Sequence, residues 1–407
     1  MRCRNCNSLL NINFLDLGFA PISNGYLKYE DLEKSEKYYP LMVKICDKCW
    51  LVQTIDYVKK DVMFNENYAY LSGTSNSWRK HISNYVKKMI KDLGLNKQSF
   101  VIELASNDGS LLENFLFYGI PCLGVEPTES TAVLAQQKNI PVLVDFFTEK
   151  TAVDINLKYP LADLVIGNNV YAHVPDIVDF TRGISKILNT NGVVSLEFPH
   201  LLQLISNTQF DTIYHEHYSY LSLNVVKNIF EKSNLRIWNV EEISTHGGSL
   251  RVFGCHEKST RQNTSEVDRI LKAESDSGLQ EISTYHNFQS KAEKIKNDLL
   301  LFLIEQKRLG KTVVGYGAAA KGNTLLNYAG IGPDLIPFIV DNSSSKQNKF
   351  MPGSHIPIVP HSFLNTAQFD YILILPWNIA EEIKEQNTAL LDQGKIFLTA
   401  IPHLSVI

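Results

Sequence analysis

At 407 residues the chain is longer than one hydrophobic core usually supports, so it reads as two or three domains. Apolar residues make up 44% and charged residues 20%, ordinary for a globular enzyme, and a net charge of -4 argues against a nucleic-acid footprint. No segment approaches the ~20 apolar residues of a membrane helix, and the start Met1-Arg2-Cys3-Arg4-Asn5-Cys6 lacks the apolar stretch of a secretory signal, so a cytoplasmic, reducing setting is expected.

Residues 1 to 75 hold four of the six cysteines, as Cys3-x-x-Cys6 and Cys46-x-x-Cys49. Two such knuckles supply four thiolates, enough to close a tetrahedral zinc site with no position left for water. The zinc is therefore expected to be structural. Between the knuckles lies a small insert with a Pro21-Ile22-Ser23-Asn24-Gly25 turn. Cys122 and Cys255 stand alone in apolar runs and read as core. Tyr68 to Ser75 is a hydroxyl-rich, Gly-broken loop, and Ser77 to Leu93 has helical spacing.

Residues 76 to 270 alternate strand, turn and helix, which calls for a parallel sheet covered by helices. Strand Ser99–Ala105 runs into Ser106-Asn107-Asp108-Gly109-Ser110, then a helix from Leu111 to Tyr118. Strand Cys122–Val125 ends in Glu126, a helix covers Ser130 to Lys138, and strand Val142–Val144 precedes Asp145. Strand Ala162–Gly167 runs into Asn168-Asn169, His173 follows, and Pro175 begins a helix. Ligands in such sheets sit at the carboxyl ends of the strands. A dinucleotide would want several glycines in the first turn, but Gly109 stands alone there. That favours a ligand without phosphates, such as S-adenosylmethionine (SAM). Glu126 is placed for the ribose hydroxyls and Asp145 for the adenine amino group. Glu103, Ala105, Asn107, Asp108, Gly109, Phe146, Asn168 and Asn169 complete the expected cofactor site, with Ser72 and Ser75 from the preceding loop.

Gly192 to Phe198 is a further strand. After it comes Tyr214-His215-Glu216-His217-Tyr218-Ser219-Tyr220, which carries two histidines, a carboxylate, three phenols and a hydroxyl. A buried core has little use for so many groups that each need a partner. In an extended chain His215 and His217 would point the same way, with Glu216 opposite. Histidine beside a carboxylate or hydroxyl is the usual general base near neutral pH. His246-Gly247-Gly248-Ser249-Leu250-Arg251 then offers close backbone approach and a charge for an anion.

Residues 265 to 309 are largely helical in composition and link the middle domain to the last, residues 271 to 407. Thr312 to Thr324 then repeats strand, Gly-rich turn and helix start, with Lys321 near the helix N-terminus as a phosphate site. Strand Ile336–Val340 ends in Asp341, Lys346 and Lys349 follow, and strand Tyr371–Pro376 precedes Trp377-Asn378. A second doubly wound half is expected, holding a nucleotide-diphosphate handle of the substrate.

The chain as a whole resembles the zinc-containing, SAM-dependent sugar C-methyltransferases. The resemblance rests on the cysteine knuckles, Tyr68-Ala69-Tyr70-Leu71-Ser72, Glu103-x-x-x-Asn107-Asp108-Gly109, Asp145-Phe146-Phe147 and Asp211-x-x-Tyr214-x-Glu216-His217. It continues through His246-Gly247-Gly248, Gly315-Tyr316-Gly317-Ala318-x-x-Lys321, Lys346-Gln347-Asn348 and Pro352-Gly353-x-His355-Ile356-Pro357. It implies an α/β protein of three domains: a small zinc-binding domain (1–75), a Rossmann-like SAM methyltransferase domain (76–270) and a second Rossmann-like domain (271–407). It implies one structural zinc, and a nucleotide-diphosphate sugar lying between the second and third domains. Carried onto this sequence, His217 is the base, Tyr214 and Glu216 lie beside the sugar, and Tyr70 and His173 complete the pocket. His215, His246, Gly247, Arg251, Tyr316, Lys321, Lys346, Trp377 and Asn378 are the expected substrate contacts. The implied reaction is methylation at C-3 of a 4-keto deoxysugar through an enolate, in branched-chain sugar biosynthesis. O-methylation of a sugar is the alternative. Neither a nucleic acid, a membrane nor an oligomer is called for. Ala105 stands where many SAM folds carry Gly, and His215 where some members carry Asp.

Overall fold

The computed structural model describes residues 1–55 and 76–407. The expected cofactor residues Ser72 and Ser75 and the pocket residue Tyr70 lie outside the described residues, as does the loop that holds them. Three sheets organise the described residues.

The N-terminal strands are β1 (Ile12–Ala20), β2 (Tyr39–Ile45) and β3 (Val52–Thr54), paired antiparallel in sequence order. The central strands are β4 (Val101–Leu104), β5 (Cys122–Val125), β6 (Val142–Leu143), β7 (Ala162–Asn168) and β8 (Leu188–Pro199). Next come the short β9 (Ser219–Tyr220), then β10 (Leu235–Ile243) and β11 (Ser249–His256). Strand β9 does not join the central sheet. It pairs with β3, so the first sheet runs β1-β2-β3-β9 and takes its last strand from about 165 residues downstream.

The central sheet runs β10-β11-β8-β7-β4-β5-β6. Its β4 to β8 are parallel and β10 and β11 antiparallel. Strands β4 and β5 are buried along their whole length, as a sheet covered on both faces requires. Helices fall where the apolar spacing puts them, for example Glu129–Gln137 and Ile177–Ile187. The second starts after Asp176, whose carboxylate accepts from Asp179 N, rather than at Pro175.

The third sheet is formed by β12 (Val313–Tyr316), β13 (Ile339–Val340), β14 (Ile358–Val359), β15 (Tyr371–Ile374), β16 (Ile396–Thr399) and β17 (Ser405–Val406). Its order is β14-β13-β12-β15-β16-β17, parallel except at the β17 edge. Helices Ser265–Asp276 and Phe288–Arg308 lead into it.

Two cores tie these layers together. Phe14, Leu15 and Val43 of the first sheet pack with Leu299 and Leu303 of the long helix and with Leu326 of helix Ala320–Ala329. Cys3, Cys46 and Cys49 pack instead with Leu104, Val125 and Leu196 of the central sheet. The cysteine knuckles therefore sit on the central sheet while their strands sit on the third.

Candidate functional site

The four knuckle sulfurs converge as expected. Cys3 Sγ lies 3.5 Å from Cys49 Sγ, Cys6 Sγ lies 3.5 Å from Cys46 Sγ, and all four sulfurs fall within 4.8 Å of one another. A tetrahedron with Zn–S bonds of about 2.3 Å needs sulfurs roughly 3.8 Å apart, so the donor set fits zinc. Gln53 donates from Nε2 to Cys3 Sγ at 3.3 Å, an outer hydrogen bond of the kind that orients metal ligands.

The carboxyl edge of the central sheet carries a tight, polar first turn. Ala105, Asn107 and Gly109 adopt left-handed backbone, with φ of 55°, 50° and 70°. Only glycine is accommodated at the last of these, because an added Cβ would stand 2.4 Å from Ile140 Cδ1 and 2.9 Å from Ala135 Cβ. Glu126 closes β5 and accepts from the backbone N–H of Asn107 and of Thr128, both at 2.9 Å. Glu103 is buried, and burial with Asp108 and Glu126 nearby pushes its carboxyl well up from the ordinary range. Glu103 Oε2, Ser106 Oγ, both amide atoms of Asn168 and Asn169 Oδ1 are buried with no hydrogen-bond partner among the described residues. Such a row of orphaned polar atoms fits a polar ligand such as SAM. Asp145 lies exposed after β6 and takes its own neighbour's N–H, from Phe146.

Tyr214 to His217 form a turn, not an extended strand, because His217 N donates to Tyr214 O at 3.0 Å, and the chain becomes extended only at β9. The two histidines therefore part. His215 donates from Nε2 to Pro40 O at 3.3 Å and faces the first sheet, with the Tyr39 ring 6.0 Å away, so the shared direction read from the sequence is corrected. His217 turns the other way. Its ring centre lies 4.0 Å from Tyr214, 4.6 Å from His173 and 6.1 Å from Tyr220. Its Nδ1 lies 2.8 Å from Thr212 O. A carbonyl can only accept, so Nδ1 carries the proton and Nε2 keeps the lone pair. Burial, with His173 beside it, holds the imidazole well below its usual pKa, and burial holds His173 at about 4. Both are neutral near pH 7.

Glu216 shares this turn. Its Oε2 accepts from Asn24 Nδ2 at 2.8 Å, its Oε1 has no partner among the described residues, and burial pushes its carboxyl up to about 7. Asn24 comes from the Pro21–Gly25 turn of the first domain, and next to it Tyr26 donates to Ala318 O at 2.6 Å. Nothing in a single sequence links positions 192 residues apart, so Asn24 was not legible as a site residue.

The third sheet's helix Ala320–Ala329 packs against the same region, with Thr324 donating to Ile213 O at 2.9 Å. Lys321 donates to Asn378 Oδ1 at 2.6 Å and lies 4.5 Å from the centre of the Trp377 ring. Burial lowers it to about 8, against the opposing pull of the Asp211 carboxylate. Trp377 packs over Gly247, where a Cβ would be 2.3 Å from its ring, and donates from Nε1 to Asp211 Oδ2 at 2.7 Å. His246 sits at φ 54° in the same turn and is held at about 4 by burial and by the Lys321 charge. Lys346 donates to Ala318 O at 2.9 Å.

Two expected contacts are redirected. Arg251 is buried and its guanidinium is met by Glu197 Oε2 at 2.7 Å, with the Tyr85 ring 4.5 Å below, so its charge is already neutralised. Glu197 also accepts from Thr245 Oγ1 and is held at about 2, with His81 and Arg251 opposing the cost of its burial. Tyr316 shares the core face of β12 with Val314, packed among Phe338, Val340 and Ile374, on the face of the sheet away from Lys321.

Three family models match along the chain. A zinc binding domain covers residues 3–64, a methyltransferase domain 78–240 and a C-methyltransferase C-terminal domain 244–402. The C-methyltransferase NovU of Streptomyces niveus is 34% identical over 405 residues, spanning 100% of this chain and 96% of NovU. The chain belongs to the SAM-dependent C-methyltransferases. Solved structures share less with it. The magnesium protoporphyrin IX methyltransferase of Synechocystis PCC 6803, with bound SAM, is 15% identical with a TM-score of 0.34, over 44% of this chain and 79% of that one. A SAM-dependent methyltransferase of Clostridium acetobutylicum ATCC 824 is 11% identical with a TM-score of 0.36, over 46% of this chain and 92% of that one. Neither likeness bears on substrate. As a C-methyltransferase the protein uses SAM as donor, and its four-cysteine cluster is the zinc site of the N-terminal domain.

Proposed function

We propose that this C-methyltransferase methylates C-3 of a nucleotide-diphosphate-linked 4-keto deoxysugar, through an enolate, in branched-chain sugar biosynthesis. The observation that carries the reading is the His217 tautomer, which leaves a neutral, basic Nε2 on a buried imidazole. Carbon is a poor nucleophile until an adjacent ketone lets a base remove its proton. His217 Nε2 takes the C-3 proton, a step in which general-base help is worth roughly 10²–10⁴-fold. The C–H electrons form the C-3–C-4 double bond and the ketone oxygen becomes the oxyanion. Tyr214 hydrogen-bonds that oxygen, the larger electrostatic contribution, while neutral His173, whose one N–H goes to the Glu216 carbonyl, packs beside the base. Bound SAM supplies an electrophilic methyl on sulfur that leaves as a neutral thioether. The enolate carbon takes the methyl, and the proton on His217 passes to solvent.

Glu103, Ala105, Asn107, Asp108, Gly109, Glu126, Asp145, Phe146, Asn168 and Asn169 are assigned to SAM in this reading. Lys321, Asn378, Trp377, Lys346, His246 and Gly247 surround the sugar nucleotide. The support for an anionic handle is Lys321, a part-buried cation that donates to the neutral Asn378 amide, with the Asp211 carboxylate as the opposing charge nearby. Six cysteines, none in a disulfide, fit a reducing cytoplasmic setting, and no described helix is long and apolar enough to cross a membrane. The test is a panel of nucleotide-linked 4-keto sugars with methyl-labelled SAM. Label attached to ring carbon C-3 is expected. Label on a hydroxyl oxygen, or no transfer to any member, would overturn the reading.

A further inference from the structure

The first sheet takes its outer strand β9 from the segment that holds His217, and the polar contacts around that pairing form a continuous path. At one end, Gln53 Nε2 donates to Cys3 Sγ at 3.3 Å. Gln53 Oε1 accepts from Arg4 N at 3.0 Å and from Arg4 Nη1 at 3.3 Å. The same Nη1 donates to Thr54 O at 2.8 Å and to Tyr218 O at 3.2 Å. Thr54 N also donates to Tyr218 O, at 3.1 Å, and Thr54 Oγ1 donates to His217 O at 3.0 Å. Gln53 and Thr54 are buried, at 0% and 3% exposure. Two successive carbonyls of the His217 turn are thus held by donors from β3, while the Thr212 carbonyl holds the His217 ring.

From this we infer that Thr54, Gln53 and Arg4 are positioning residues for His217, and that the zinc knuckle sets the imidazole as well as stapling the fold. The inference rests on His217 being the base of the proposed reaction. A turn of two or three residues has little stiffness of its own, and misplacing a reacting group by about 1 Å costs on the order of 100-fold. The Thr54 hydroxyl has one evident task here, which is to fix the peptide unit after His217. Gln53 gives that arrangement its anchor, because its amide is locked between a metal-ligand sulfur and Arg4. A zinc site serving only to fold the first domain would not need this path to reach across to residue 217.

The experiment uses the full-length, zinc-loaded enzyme in four forms beside wild type: Thr54→Val, Thr54→Ser, Gln53→Leu and the Thr54→Val/Gln53→Leu double variant. Zinc content and SAM affinity are checked first. Two readouts follow: the ring nitrogen resonances of His217 in enzyme free of sugar, and kcat and KM for the sugar nucleotide. Thr54→Val is expected to keep its zinc, move the His217 resonances, and lower kcat about 10- to 100-fold with KM within about twofold. Thr54→Ser restores the hydroxyl and is expected to restore both. Gln53→Leu moves the same resonances, and the double variant is no worse than the poorer single, as residues on one path behave. Unmoved resonances, losses in kcat that multiply in the double variant, or losses that track zinc content would overturn the inference. The resonances need no sugar substrate. If wild type transfers no methyl to any sugar, the proposed reaction fails while the resonances still decide whether Thr54 and Gln53 set the His217 ring.

Discussion

Trp377 donates its indole N–H to the Asp211 carboxylate at 2.7 Å, and the two residues are 166 positions apart. Asp211 lies in the Phe210–Thr212 turn, whose last carbonyl receives the His217 Nδ1–H. The third sheet therefore reaches the imidazole through a single turn. Burial pushes Asp211 up to about 6, with Lys321 and the Trp377 bond opposing that rise.

Trp377→Phe removes the donor and leaves a buried carboxylate short of a partner. A loss of about 1–3 kcal/mol in chemical denaturation is expected, together with a raised KM for the sugar nucleotide. Asp211→Asn keeps an oxygen acceptor for the indole and is expected to fall well short of that loss.

The pH profile follows from Lys321. Burial lowers it to about 8, so in the free enzyme the ammonium is intact below that pH and is lost as pH rises through it. If this cation holds a diphosphate, kcat/KM for the sugar nucleotide falls above about pH 8, while binding of SAM does not follow. Lys321→Arg, which keeps its charge at all these pH values, moves that limb upward. Lys321→Gln raises KM by roughly 10- to 100-fold at neutral pH, the scale of a lost charged hydrogen bond. On the acid side, His217 stays neutral well below pH 6.5, so the base itself sets no limb near neutrality.

Two substitutions in the first turn after β4 separate space from backbone strain. Gly109→Ala forces a Cβ against Ile140 and Ala135 at a left-handed φ of 70°. It is expected to cost about 1–3 kcal/mol and to weaken SAM binding, read by thermal unfolding and calorimetry. Ala105 already sits at φ 55°, where a side chain is unfavourable. Ala105→Gly is expected to change stability by less than about 1 kcal/mol, since relief of that strain offsets the added freedom of the unfolded chain.

Metal exchange tests the knuckles. Replacing zinc with cobalt(II) is expected to give the intense visible bands of a tetrahedral four-thiolate site, at one metal per chain. Cys49→Ser is expected to abolish that spectrum.

Much of this was legible from residue types alone. The cysteine spacing announced the metal site because four thiolates on two knuckles have few other uses, and the structure brings their sulfurs within 4.8 Å. The alternating strands and the lone Gly109 announced the central sheet and the absence of a dinucleotide fingerprint. What failed did so for reasons of tertiary partnership. His215 and His217 obey a two-residue alternation only in an extended chain, and the Tyr214–His217 turn removes it. Arg251 looks like a free cation until Glu197 is found across the β8–β11 pair, where the two residues face each other in register. Tyr316 lies beside a Gly-rich turn, but strand alternation sends its ring to the opposite face. Asn24, Gln53 and Thr54 carry no signal of their own, since their partners are distant in sequence: Glu216 for Asn24, Cys3 and Arg4 for Gln53, and His217 for Thr54.

The most direct test of the central claim is exchange at C-3. The enzyme is incubated with a nucleotide-linked 4-keto deoxysugar in heavy water, without SAM, and deuterium at C-3 is followed by NMR. Wild type is expected to exchange that proton at a rate far above background, and His217→Asn is expected to bind the sugar nucleotide with similar affinity and lose the exchange. Exchange at the wild-type rate in His217→Asn, or methyl transfer by wild type with no exchange at C-3, would contradict the account.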